Sequence, residues 1–454
     1  MSALNQYIDL YVTARDLIDA GSAPVINARR AEAFECLQKA ALPRKGSEDY
    51  EQTDLEALLA PDFGINLGRK PLEIDPSRTF SCRVPSMSTA LFFLMGDTFA
   101  STDRSYNGLP EGVIVSSLAA AAVKHPELVK KYYGALANTE NPLVALNNLL
   151  CQDGFFLYVP KGVTVEKPLQ LVNILRHETP MMAIRRLLIV LEEGAEAKLL
   201  CCDHTQNSDT DFLNLQTIEI FAAPGSRFDF YDLEESSART TRLSSLYLTQ
   251  GRGSNVLLDG ITLFNGNTRN EYRTTFTEPD AELHLLGMGI EDDTRQLDNY
   301  TLIRHDAPHC HSNELMKYVV EDAATGAFSG RIYVAPGAVK TEAYQSNRNM
   351  VTSEGARMYS KPQLEIYNDD VKCSHGTAVG QMDEKQLFYM QQRGLSLPVA
   401  HTLLKQAFMA DVIDAVRLTP LRDRLRMLVD MRFASDNSEH DCAACASSIP
   451  EQDA

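Results

Sequence analysis

Cys373 and His375 are the pair of side chains in this chain best placed to do chemistry together. They sit two residues apart in KPQLEIYNDDVKCSHGTAVG, whose composition predicts a strand. Side chains at i and i+2 of a strand project from one face, so a thiol and an imidazole stand side by side. Both are ligand types for iron–sulfur, zinc or copper chemistry. Two donors do not fill a four-coordinate site, so a metal or cluster held here needs ligands from elsewhere. The acidic Asp369-Asp370 just upstream resists deep burial without partners, which predicts an exposed strand end. The plainer alternative is a core thiol beside a histidine hydrogen-bonded at its edge.

A second group is His309-Cys310-His311. Read as a strand, it puts the two histidines on one face and Cys310 on the other, so one metal cannot use all three. Free cysteine is among the most buried residue types, which favours a packing role for Cys310 and leaves metal binding as the weaker reading. The CxxC of Cys442 and Cys445, beside His440, lies in a polar tail without the second CxxC a zinc site needs. Cys201-Cys202 are adjacent, so one points in and one out, as core filler. Asp292-Asp293 and Asp369-Asp370 split across faces in the same way. That counts against a β-helix enzyme acting on carbohydrate, which would pair its acids on one face. No GxxxxGK[ST], GxGxxG after a strand, GxSxG or HExxH occurs, so this chain is expected to bind no nucleotide through a phosphate loop and to hydrolyse none.

The elements that must position these residues fall into three textures. From the start to about residue 154 the pattern is largely helical, as in ARRAEAFECLQKAAL, where Phe34, Leu37 and Ala41 share a face before Pro43 breaks it. Residues 155–380 repeat an apolar run, a small-residue turn and another apolar run. The turns centre on Gly194, Gly225, Gly253, Asp280, Gly326, Gly337 and Gly355, with first intervals of 31, 28 and 27 residues. Recurrence at that period is the mark of a stacked solenoid, although an antiparallel sandwich gives similar strands and turns. Residues 381–434 read as helices again, one ending at Gly394 and one running from Pro398 to Val416. In the latter, Ala400, Leu403, Leu404, Phe408 and Val412 share a face. Residues 435–454 form a polar tail expected to be disordered.

The 43 basic and 61 acidic residues give a net charge of −18, which argues against a nucleic-acid partner. No stretch reaches the roughly 18 apolar residues of a membrane span, and MSALNQYIDLYVTARDL lacks the pattern of a secretory signal. Nine irregularly spaced cysteines suit a reducing cytoplasm.

KPQLEIYNDDVKCSHG followed by QLFYMQQRG resembles the C-terminal signature of the SufB/SufD family of iron–sulfur cluster assembly scaffolds. PELVKKYYG, ALNNLLCQDGFFLYVPKGV and LPRKGSEDYEQTDLEALL extend the likeness over most of the chain. His375-Gly376, where the SufB pattern has His-Glu, places it nearer the SufD branch; Tyr50 stands where the family often has Trp. The resemblance implies a mainly β fold, a right-handed parallel β-helix flanked by N-terminal and C-terminal helical regions. It also implies a non-catalytic subunit that pairs with a SufB-like paralogue and docks a SufC-like ATPase, with homodimers when isolated. A transient iron–sulfur cluster would be shared with SufB, His375 being a ligand, Cys373 a helper and Cys310 a recurrent family cysteine. The C-terminal helices are expected to cap the solenoid while docking the ATPase. A flavin is left undetermined, and a SufB-like primary scaffold is the nearest alternative.

Overall fold

The computed structural model describes residues 2–70, 88–102, 104–206 and 209–434. Its strands alternate between two ten-stranded sheets, so that each solenoid turn adds one rung to each. One sheet runs from Arg357–Ile366 through Thr325–Val334, Gln296–His305, Asn267–Phe276, Thr240–Gln250, Phe212–Ala222 and Met181–Leu191 to Gly154–Val159 and Ile114–Ser117, with the short Gly64–Ile65 also pairing with Met181–Leu191. The other runs from Lys372–Gly380 through Glu342–Val351, His311–Val320, Glu282–Glu291, Asn255–Phe264, Arg227–Glu235, Glu196–Thr205 and Leu169–Leu175 to Ala90–Met95 and Thr98–Ser101. Pairing is parallel except where Ile114–Ser117 and Thr98–Ser101 fold back on their neighbours. The protein is a parallel β-solenoid flanked by helices.

The repeat is more regular than the glycines suggest. Gly162, Gly194, Gly225, Gly253, Asp280, His309 and Lys340 all have positive φ, and each donates its N–H to a carbonyl in the next turn. His309 and Lys340 lack glycine, which hid the period continuing beyond Asp280. Left-handed conformations favour glycine but admit Asp and His when the surroundings hold them. Gly326, expected in a turn, lies instead within Thr325–Val334, where an added Cβ would meet Met358 Sδ at 2.6 Å. It serves close packing.

Between the sheets lies a continuous apolar core. Ala197, Phe228, Val256 and Leu283 stack in register along one interior column, and Leu199, Phe230, Leu258 and Leu285 along the next. The outer faces are covered by helices. Leu4–Ala20, Arg30–Lys39 and Pro142–Leu150 bury Met182, Ile184, Leu213, Leu215 and Leu243 of the first sheet. Leu397–Ala415 and Thr419–Ala434 bury Leu233, Ile261, Met288 and Ile290 of the second.

This corrects the expected cap: the C-terminal helices cover the side of the solenoid, and among the described residues nothing covers its last rungs. The buried stripe also differs from the one periodicity gave. Leu403 is exposed, whereas Lys405 is buried, its Nζ 2.9 Å from Glu321 Oε2 and lying over the Phe433 ring. A lysine whose charge is paired can bury its long alkyl stem.

Candidate functional site

Lys372–Gly380 is the last rung of its sheet, and it carries Cys373 and His375. Cys373 stacks in register on Ala343 and Ser312, and packs against the interior core. Partial burial pushes its thiol above the ordinary range, so a bound cation would have to draw off the proton. His375 stacks in register on Gln345 and is exposed, and among the described residues no further rung lies above it. The two therefore share the inward face at the open end. Asp369 and Asp370 are exposed as expected, Asp370 pairing with Lys340 at 2.8 Å.

The interior changes character as it nears this end. The column that is apolar through Leu199, Phe230, Leu258 and Leu285 continues as Glu314, Gln345 and His375. Gln345 donates Nε2–H to Glu314 Oε2 at 2.7 Å, and both side chains are buried. Loss of hydration pushes the Glu314 carboxyl up to about 7. In the neighbouring column, Asn347 lies under Thr377, and Ser360 from the opposite sheet donates to Asn347 Oδ1 at 2.6 Å. These polar interior residues escaped the reading of the sequence. Their signal was available: Glu314, Gln345 and His375 recur at 31 and 30 residues, close to the turn period.

Backbone polarity adds to the site. Lys372 donates its N–H to Thr341 O, so by alternation Cys373, His375, Thr377 and Val379 direct their backbone groups toward the open side. On the other sheet, Arg357 bonds inward to Ala324 and Tyr367 to Val334, which turns Pro362 outward. Proline has no N–H, so that edge has a gap in its donors. Exposed Tyr359, Ile366, Tyr367 and Val379 line the same end.

The second group does not join the first. Cys310 is buried in the core, two rungs below Cys373, with its thiol donating to Glu278 O at 3.4 Å and Pro308 O at 3.5 Å. Two rungs amount to about 10 Å, beyond the span of one metal's ligands. His309 is a turn residue with φ of 59°, so the three do not form the strand that was expected. His311 opens its strand on the outer face, near His284 and Glu282, whose Oε1 lies 2.8 Å from His284 Nε2. Among the described residues no three His, Cys, Asp or Glu side chains are gathered to hold a metal ion.

Cys201 fills the core and Cys202 packs under the C-terminal helices, in and out as expected. Asp292 is spent on Arg432 at 2.5 Å and on Arg295, while Asp293 is exposed. Tyr50, in place of the family's frequent Trp, is buried; it donates to Glu271 Oε1 and stacks under Arg269 at 4.5 Å. His440, Cys442 and Cys445 lie outside the described residues.

The chain is a β-solenoid that brings a thiol and an imidazole to one open end. Family models place it in a class: residues 1–171 match the SufBD protein N-terminal region, and residues 173–408 match the SUF system FeS cluster assembly SufBD core domain. The chain belongs to the SufBD family. It is 26% identical over 404 residues to the iron–sulfur cluster assembly protein SufD of Escherichia coli, covering 87% of this chain and 90% of that protein. Against SufD of Bacillus subtilis it is 29% identical, covering 71% and 74%. A SufBD family protein of Synechocystis is 27% identical, covering 89% and 90%. One relative, from Arabidopsis thaliana, is described as chloroplastic. Among the described residues, no helix is long and apolar enough to cross a membrane.

Proposed function

We propose that this chain is the SufD-type subunit of a cytoplasmic SUF complex, and that its open solenoid end joins a SufB-type paralogue to hold a nascent iron–sulfur cluster as cargo. The observation that carries this reading is the coincidence at one rung of Cys373, His375 and an unpaired, uninterrupted backbone edge. An exposed edge strand is a template for pairing with another chain. A partner strand added at Cys373–Val379 would bring its own donors against the two this chain supplies, completing a four-coordinate site. A site divided between two proteins can also be opened to release what it holds. His375, exposed and unencumbered, is the direct ligand in this reading, and Cys373, half-buried, assists. The same edges would pair two copies of this chain when no paralogue is present.

Docking of the SufC-type ATPase falls to the C-terminal helices. Glu384–Gln392 has no buried residue, and Phe388 and Tyr389 are 63% and 58% exposed. Leu397, Val399 and Leu403 extend this apolar strip. Amphipathic helices present such strips to a groove on a partner. Nucleotide chemistry belongs to that partner, and this subunit is non-catalytic.

The test is co-expression with the SufB-type and SufC-type partners, followed by iron and sulfide measurement at equal complex abundance. His375→Ala is expected to lower cluster yield severely and Cys373→Ser to lower it less. Wild-type yield from the His375→Ala complex would remove the cluster site while leaving the family membership intact.

A further inference from the structure

Gln345 is a buried polar residue with one half of its amide engaged and the other half idle. Its side chain crosses the interior to the opposite sheet, where Nε2 would stand 2.3 Å from a Cβ added at Gly330. That nitrogen donates to Glu314 Oε2 at 2.7 Å, whereas Oε1 is buried and has no hydrogen-bond partner among the described residues. An ionised carboxylate can only accept. Glu314 therefore fixes which way the amide faces, with its nitrogen toward the carboxylate and its oxygen free. A buried amide oxygen without a partner is costly. The next side chain in its column is His375, in register and on the same face, one rung away at about 4.8 Å. The four rungs earlier in this column are apolar. Only next to His375 does the column become a carboxylate followed by an amide.

We propose that Gln345 is a positioning residue for His375: its Oε1 accepts the ring N–H, fixing the imidazole's tautomer and orientation and leaving the other ring nitrogen free to face the open end. Glu314 anchors the amide from below. Metal-binding histidines commonly hand their second nitrogen to such an acceptor, and losing it typically weakens metal binding or activity 10- to 100-fold. The proposal deepens the cluster-site reading and rests on it for its functional consequence. Its geometric content stands apart.

The experiment uses the full chain labelled with 15N-histidine at pH 8, where Glu314 is ionised, the His375 signals being assigned by their loss in His375→Ala. One ring tautomer should dominate in the wild type. Gln345→Met, similar in length but without the acceptor, should give a mixture, with circular dichroism and oligomeric state unchanged. Averaged tautomers in the wild type would overturn the proposal without any variant, as would a tautomer that Gln345→Met leaves unchanged. Should Gln345→Met fold poorly, Glu314→Gln, which frees the amide to turn over, is expected to broaden or split the same signals; unaltered signals would count against the proposal. In the intact complex, Gln345→Met should reduce iron retention about 10-fold or more. If His375→Ala spares cluster yield while Gln345→Met still shifts the tautomer, the ligand reading fails and the positioning contact survives.

Discussion

Asp259 should make this protein measurably less stable as pH rises, and the size of the effect follows from its surroundings. It points outward from Asn255–Phe264, between Leu257 and Ile261, into the apolar layer beneath the C-terminal helices. In register beside it are Tyr231 and Leu286. It is 1% exposed, and neither carboxylate oxygen has a hydrogen-bond partner among the described residues. Loss of hydration, with no compensating cation, pushes its carboxyl from 3.8 up to about 8. A raised carboxylate stabilises least when ionised. The native state is therefore favoured most below pH 4, and stability drains away between about pH 4 and pH 8. Between pH 5 and pH 8 the linkage integral comes to roughly 3–4 kcal/mol at 1.36 kcal/mol per pH unit, less the rounding-off near pH 8. Asp259→Asn keeps the shape and cannot titrate, so every other ionisation cancels in the comparison. For a chain of this length, about 0.95 kcal/mol per degree of unfolding entropy converts the figure to roughly 4 °C in thermal midpoint. Calorimetry of both proteins at pH 5 and pH 8 should show the gap between them moving by about that amount, in favour of the Asn variant at pH 8. An unchanged gap would mean that Asp259 finds water or a partner, and the reasoning would be wrong.

Four further outcomes are expected. Gly154→Ala should lower stability by about 3 kcal/mol or more, because the new Cβ would lie 1.9 Å from Arg186 O, a backbone atom that cannot step aside; a thermal midpoint matching wild type would refute this. His375→Ala should change stability by no more than about 1–2 kcal/mol, the loss of an exposed side chain on the last rung together with its bond to Gln345, and denaturant titration checks it. Phe388→Ser with Tyr389→Ser should abolish binding to the SufC-type ATPase while leaving circular dichroism intact, since both rings are largely exposed; undiminished affinity in calorimetric titration would move the docking surface elsewhere. The purified chain should release no phosphate from ATP, and turnover that tracks mutations in this chain would overturn the scaffold reading.

Deleting the C-terminal helices, a natural truncation to try from the sequence, is a poorer test than point substitution. Leu233, Ile261, Met288 and Ile290 would be uncovered along the side of the solenoid. Apolar side chains of that size lose about 1.5–3 kcal/mol each when fully returned to water. Loss of partner binding in a truncated chain would then report an exposed face as readily as a missing contact.

The sequence determined what is local. Strand alternation placed Cys373 and His375 on one face and put Cys201 and Cys202 on opposite faces, because side-chain direction along a strand depends on two neighbouring residues alone; Asp292 and Asp293 lie beyond the end of Glu282–Glu291, and the turn there, with Asp293 at positive φ, parts them instead. Recurring turns pointed to stacked strands, and the signature motifs settled a solenoid over a sandwich. Tertiary structure decided what depends on register between segments about 30 residues apart. Leu285, Glu314, Gln345 and His375 form one column because the intervening turns have the lengths they do, even where Asp280, His309 and Lys340 replace glycine. An apolar stripe shows that a helix is buried but not against which surface, so the C-terminal helices could be read as a cap and yet lie along the side. The distance that parts Cys310 from Cys373 and the bare last rung are likewise properties of stacking, which no single segment encodes.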